Sequence, residues 1–176
     1  MYRQEYDSIL GKIYMSSDGD YLTGLWFKGT KGEAFCSDAF DEKDLPIFRQ
    51  TKEWLDIYFK GEKPSFTPAY KIYGLTPFRK DVIDQIKKIP YGSLITYKDI
   101  AQKIAQQRGI SKMLAQAVGG AVGWNPICII IPCHRVIGTN QSLVGYSGGI
   151  QNKVELLKLE GHDMTEFKIP KKGTAL

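Results

Sequence analysis

Within the stretch Ile129 to Val136, IIIPCHRV, a run of aliphatics ends in a proline and is followed at once by Cys133 and His134. The chain has only three cysteines and two histidines, so this adjacency is a candidate for chemistry. A thiol attacks only as the thiolate, and an imidazole is the side chain best suited to take its proton near neutral pH. Such a base also needs a group to orient it, and Glu160 and Asp163 are the nearby acidic candidates. In a strand, adjacent side chains point to opposite faces, so the pair can cooperate only if the chain turns there or a water bridges them. The competing reading is an inert buried thiol beside a surface histidine, and Cys36 and Cys128 are assigned to that class. Cys128, Cys133 and His134 fall short of a zinc set, and an odd cysteine count gives no disulfide framework, so neither metal nor cofactor is expected.

The elements that must hold this pair divide into two segments. Ile9–Met15 and Tyr21–Phe27 are β-prone runs joined by the turn SSDGD, and Leu45–Phe59 has helical periodicity ending near Gly61. Pro64 and Pro68 punctuate a linker. Thr76-Pro77 then opens a helix whose apolar face is Phe78, Val82, Ile83 and Ile86. Thr96-Tyr97-Lys98-Asp99 has the capping-box form and starts a short helix that Gly109 breaks. Ser111 is positioned to cap a following helix with Leu114, Ala117, Val118 and Ala121 as its buried stripe, giving a helix-turn-helix. Its other face would carry Lys112, Ala115, Gln116, Gly119 and Gly120, small enough for close approach to another surface. Asn125-Pro126 precedes a short buried strand, Ile127–Ile131, that leads to Cys133. After the glycine-rich loop Gly138–Gly149, a last helix carries Val154, Leu156, Leu157 and Leu159. The expected fold class is therefore α+β: a small N-terminal sheet-plus-helix domain (1–73), a mostly helical C-terminal domain (74–165) and a loosely held tail (166–176).

Charge is distributed unevenly between the segments. Residues 1–73 hold ten Lys/Arg against twelve Asp/Glu, whereas residues 74–176 hold fourteen against seven. A basic second segment fits an anionic partner such as nucleic acid. No apolar run approaches the ~18 residues of a membrane span, and MYRQEYDSIL lacks the order of a signal peptide. The expectation is a monomer without membrane contact, cytoplasmic, nucleoid-associated in a bacterium or archaeon and nuclear in a eukaryote.

The second segment resembles the O6-alkylguanine-DNA alkyltransferases, or methylated-DNA–protein-cysteine methyltransferases. The resemblance is carried by TPFRKDVIDQIKKIPYGSLITYKDIA, AVGGAVGWNP, IIIPCHRVIG, GYSGG and KVELLKLEGH, in order across residues 76–162. Residues 1–70 are similar to the family's ribonuclease-H-like N-terminal domain through GLWFKG and their βα order. The resemblance implies DNA repair by a single-use protein. A helix-turn-helix would bind the minor groove of double-stranded DNA, and the damaged guanine would leave the stack. Cys133 would take the alkyl group from O6 irreversibly. In this resemblance Cys133 is the acceptor, His134 the base acting through water, Glu160 its orienting carboxylate and Asn125 the brace of the turn. Tyr97 would face the base with its hydroxyl, Val136 and Ser147 would read the guanine edge through backbone groups, and Tyr146 would wall the pocket. Lys112, Ala115, Gln116 and Gly119 would meet the DNA.

Gln116 departs from the family, which usually places an arginine there to fill the vacated stack. Weaker duplex binding or flipping is expected from that change, with the chemistry retained. The absence of a Cys/His cluster in residues 1–73 means the zinc of some relatives is not carried over. A non-catalytic sensor of alkylated DNA is the main alternative. A cysteine hydrolase and a plain DNA-binding regulator are weaker ones, and O4-alkylthymine stands as a further candidate substrate.

Overall fold

The computed structural model describes residues 1–30, 32 and 41–169, so Cys36 and the tail beyond Ile169 lie outside the described residues. The chain forms two compact units: Met1–Gly74 with Pro126–Ile130, and Leu75–Asn125 with Ile131–Leu176.

In the first unit, β1 (Tyr2–Ser8), β2 (Gly11–Ser17), β3 (Leu22–Phe27) and β4 (Asp41–Glu42) form one sheet in the order β3-β2-β1-β4. β1 and β2 pair antiparallel with Ser8 opposite Gly11, and β4 runs parallel to β1. The sequence reading began the first strand at Ile9; instead Ile9 sits in the hairpin turn, 73% exposed. β1 escaped notice because YRQEYDS carries no aliphatic residue, and its pairing is satisfied through the backbone. Helix α1 (Pro46–Phe59) starts on a proline, whose missing N–H costs nothing in a first turn. It buries Ile47, Phe48, Trp54, Leu55 and Tyr58.

The expected strand over Ile127–Ile131 is not formed. Leu25 donates its N–H to Pro126 O (2.8 Å) and accepts from Cys128 N–H (2.8 Å), a single bridge. The chain then reverses: Ile130 N–H donates back to Cys128 O across Ile129, which is held at φ +69°. That i to i+2 bond with positive φ is a γ-turn, a strained conformation for a β-branched residue. The apolar run reflects burial, not strand: Ile127, Cys128 and Ile129 are all at most 3% exposed.

The second unit contains α2 (Pro77–Ile86), β5 (Ile95–Thr96), α3 (Tyr97–Arg108), α4 (Ala115–Gly123), β6 (Val136–Ile137) and α5 (Ile150–Leu159). Thr76 caps α2 by accepting from Arg79 N–H. Thr96 and Asp99 form the reciprocal capping box on α3, two orphan donors satisfied at once. Gly109 ends α3 at φ +65°, with Ile110 N–H donating to Ala105 O and Gly109 N–H to Gln106 O. Glycine fits that left-handed position without a Cβ penalty.

Helix α4 differs from expectation in its start and its face. Its N-cap is Leu114, not Ser111, and no side chain caps it. Val118, Gly119, Ala121 and Val122 are buried, whereas Leu114 is 59% exposed and Ala117 and Gly120 are exposed. The stripe is thus turned by one residue from the predicted one. The bulkier Val118 and Val122, one helical turn apart, face inward, so Gly119 goes with them and does not lie on the outer face. β5 and β6 pair parallel, Ile95 with Val136 and Thr96 with Ile137. Ile137, Leu143, Val154 and Leu157 form a core cluster covered by Leu94, Ile150, Met164 and Phe167. The first residues of the expected loose tail are tied down, since Lys168 exchanges backbone bonds with Leu143 and Gln141.

Candidate active site

The segment Pro132–Arg135 settles how neighbouring side chains can cooperate. Pro132 sits at φ −81°, ψ 60°, and Cys133 N–H donates to Ile131 O (2.8 Å). This is an inverse γ-turn, a conformation compatible with the fixed φ of proline. Cys133–Arg135 then form one turn of 3-10 helix. With about three residues per turn, successive side chains splay by roughly 120° and do not point to opposite faces as in a strand. Cys133, His134 and Arg135 are all buried, Cys133 to 1% exposure.

Asn125 follows α4 and reaches across this turn. Its Nδ2 donates to Ile131 O (2.9 Å) and to Cys133 Sγ (3.0 Å), fixing the proline turn and the sulfur with one amide. A hydrogen bond to sulfur favours its anionic form over the thiol.

His134 Nε2 lies 2.7 Å from Glu160 Oε1. Glu160 closes α5 and is buried at 7% exposure. It also accepts from Arg135 Nε (2.9 Å to Oε2), from Arg135 Nη2 (2.9 Å to Oε1) and from Gly92 N–H (3.2 Å). Burial acts to raise its pKa, but the bonds from His134 and Arg135 overcome this and hold it well below the usual carboxylate range. The carboxylate therefore stays ionised and can only accept, so Nε2 carries the proton and Nδ1 is the basic nitrogen. Burial lowers the His134 pKa from 6.5, and Glu160 offsets this only in part. The resting imidazole is neutral, as a general base must be.

Two cations in this site were not singled out from the sequence. Arg135 neutralises Glu160 in a forked geometry and donates Nη1 to Ile89 O (2.9 Å). Lys153, on α5, is fully buried and donates to Val136 O (2.6 Å) and Val144 O (2.9 Å). Burial pulls its pKa down to about 8, and the charge of Cys133 acts the other way. A positive charge at Lys153 and a negative one at Cys133 would favour one another. The available signal was position: Lys153 precedes Val154 and lies three and four residues before Leu156 and Leu157, on the core side of α5. A lysine on that side must have partners, because an unpaired buried charge is prohibitive.

The substrate-side candidates gather on the same unit. Tyr97 is 6% exposed, and its hydroxyl donates its one proton between Gly145 O (2.7 Å) and Val144 O (3.0 Å). Its pKa is raised, first by burial and then by Cys133. Val136 is buried in β6 with its carbonyl held by Lys153. The Tyr146 ring meets His134 edge-on, with centroids 6.4 Å apart. Ser147 is half-buried beside it. Gly148 is required by packing, since a Cβ there would fall 2.5 Å from the Tyr146 ring. Lys112, Ala115 and Gln116 lie apart from this cluster at the start of α4, with Lys112 and Gln116 exposed and Ala115 partly so; Gly119 is buried. Among the described residues no group of His, Cys, Asp and Glu is placed to hold a metal ion.

Comparison with known proteins identifies the family. Residues 77–162 match the family model for the 6-O-methylguanine DNA methyltransferase DNA binding domain, and residues 1–69 that for its ribonuclease-like domain. A methylated-DNA–protein-cysteine methyltransferase of Methanosarcina acetivorans is 39% identical over 161 residues, 92% of this chain and 99% of the relative. One from Haemophilus influenzae is 35% identical over 161 residues, 91% of this chain and 86% of the relative. A solved structure of Mycobacterium tuberculosis OGT in complex with DNA superposes with a TM-score of 0.78 at 34% identity, covering 95% of each chain.

Proposed function

Since the chain belongs to the methylated-DNA–protein-cysteine methyltransferase family, we propose that it repairs double-stranded DNA by moving an alkyl group from O6 of guanine to Cys133, once per molecule. The observation that carries this reading is the hydrogen bond from Asn125 Nδ2 to the Cys133 sulfur, with the buried His134–Glu160 pair starting at the next residue.

The chemistry follows from those contacts. His134 Nδ1 takes the thiol proton through a bridging water, and Glu160 compensates the imidazolium that forms. The Asn125 amide holds the thiolate, and the Lys153 ammonium favours its charge. Sulfur attacks the alkyl carbon in line; the S–C bond forms as the C–O6 bond breaks, and its electron pair passes to O6. Guanine regains its normal form by taking a proton. The Tyr97 hydroxyl exchanges its bond to the Gly145 carbonyl for the incoming base and stabilises the charge leaving on the purine. The product thioether has no easy route back to a thiol, so turnover stops.

The buried sulfur also implies base flipping: at 1% exposure it is beyond the reach of a base still in a duplex. Tyr146, Ser147 and Val136 would hold the extruded guanine. Lys112, Ala115 and Gln116 would meet the duplex. The protein acts as a monomer and works where chromosomal DNA is kept. Loss of O6-methylguanine from a duplex oligonucleotide, followed against protein concentration, tests this. Repair is expected to end at one equivalent of lesion per protein. Continued turnover, or a stable complex with the lesion intact, would overturn it.

A further inference from the structure

Leu114 breaks the pattern of its helix. Its spacing from Ala117, Val118 and Ala121 marks it as core, yet it is 59% exposed at the N-cap of α4. Ile110, four residues earlier in the same turn, is 44% exposed. Two large aliphatics thus stand in solvent between the two helices of the helix-turn-helix. Leucine is also a poor residue for that backbone position, because it offers no oxygen to the first-turn N–H groups. Neither packing nor capping accounts for it.

The surroundings indicate what covers it. From Ile100 to Val154 the chain contains no Asp or Glu; of its cations there, Lys103 and Lys112 are exposed, Arg108 is paired with Asp81, and Arg135 and Lys153 are buried in the active site. Lys112 and Gln116, each two residues from Leu114, are exposed, and the first turn of α4 contains no acid. Added volume at Gly120 would meet nothing within 4 Å, so the outer face of α4 is open. An apolar projection beside exposed Lys112, on a chain segment that carries no acid, fits a polyanion with apolar faces inside it, which describes stacked bases behind phosphates. A second copy of this chain would bring the same positive charge to the contact.

We propose that Leu114, supported by Ile110, is the wedge that occupies the base stack when the target nucleotide leaves it. The inference rests on the alkyl-transfer reading above. Leucine is among the side chains that proteins insert between base steps to unstack them. Gln116, one turn position further along, then needs only to meet the orphaned base edge with its amide, and the apolar filling falls to Leu114. Leu114 is a positioning residue: it acts on the duplex and leaves the reacting atoms alone.

Leu114→Ala tests this, because alanine is no worse a cap than leucine and the site is exposed, so the melting temperature should not change. Single-turnover rates are measured on O6-methylguanine in duplex, in a single strand, and on the free base O6-benzylguanine. The expected result is a fall of about tenfold or more on duplex, with the other two rates within about twofold of the parent. Leu114→Met should recover the duplex rate. A duplex rate unchanged by Leu114→Ala, or an equal loss on all three substrates, would overturn the wedge while leaving the transfer reading intact. So would a parent that sediments as a dimer and becomes a monomer on Leu114→Ala with its duplex rate unaffected. A parent that dealkylates none of the three substrates would overturn both.

Discussion

At the scale of single residues, the site depends on one carboxylate that serves two donors. Glu160 holds the imidazole of His134 and the guanidinium of Arg135, all three buried. Glu160→Gln leaves Arg135 a buried charge without its counter-ion, which costs roughly 3–5 kcal/mol of stability. Chemical denaturation should show that loss; a change below about 1 kcal/mol would mean the cluster is solvated in solution. The direction of the His134 shift sets a pH dependence. Its folded pKa lies below 6.5, so below that pH the unfolded chain binds more protons than the folded one. Stability is therefore full above about 6.5 and declines as pH falls from there. The transfer rate should likewise stay level as pH is lowered through 6.5 and drop only below it. An acid limb centred at or above 6.5 would show that His134 is not the base. Lys153→Met should slow transfer by about fivefold or more, since one opposing charge near the sulfur is worth ~1 kcal/mol even in a polar medium.

At the scale of elements, the legible parts were those whose signals are local. Thr96 and Asp99 announced the start of α3, and the glycine at 109 its end, because caps and left-handed positions are written in neighbouring residues. The run Ile127–Ile131 misled because a buried chain can be extended or folded back, and aliphatic composition reports only burial. Positive φ at Ile129 lies just beyond the bridge between Leu25 and Ile127, a contact invisible in the local sequence. The site residues named from the family resemblance, the surface group at the start of α4 included, all fall on one unit, but the charged residues Arg135 and Lys153 needed the fold. GYSGG became intelligible only as packing: Gly148→Ala forces a methyl against the Tyr146 ring, 2.5 Å from its Cε1. The backbone or the ring must shift. Both the melting temperature and the transfer rate on free O6-benzylguanine should fall; if both match the parent, Tyr146 is not a fixed wall.

At the scale of the whole molecule, charge separates recognition from chemistry. The excess of Lys/Arg lies in residues 74–176, fourteen against seven Asp/Glu. Binding that releases counterions from DNA weakens steeply with salt, whereas the reaction at a buried sulfur does not. Raising salt from about 50 to about 200 mM should slow repair of sub-saturating duplex by about tenfold or more and leave the free-base reaction within about twofold. Gln116→Arg should raise the duplex rate, because it adds a cation with a longer reach at the surface of α4. The most direct test of the account is the intact mass of the protein after mixing with an O6-methylguanine duplex, followed by peptide mapping. The result expected is a gain of one methyl group, located on the sulfur of Cys133 and absent in Cys133→Ser. A protein of unchanged mass, or a methyl group on any other residue, would contradict it.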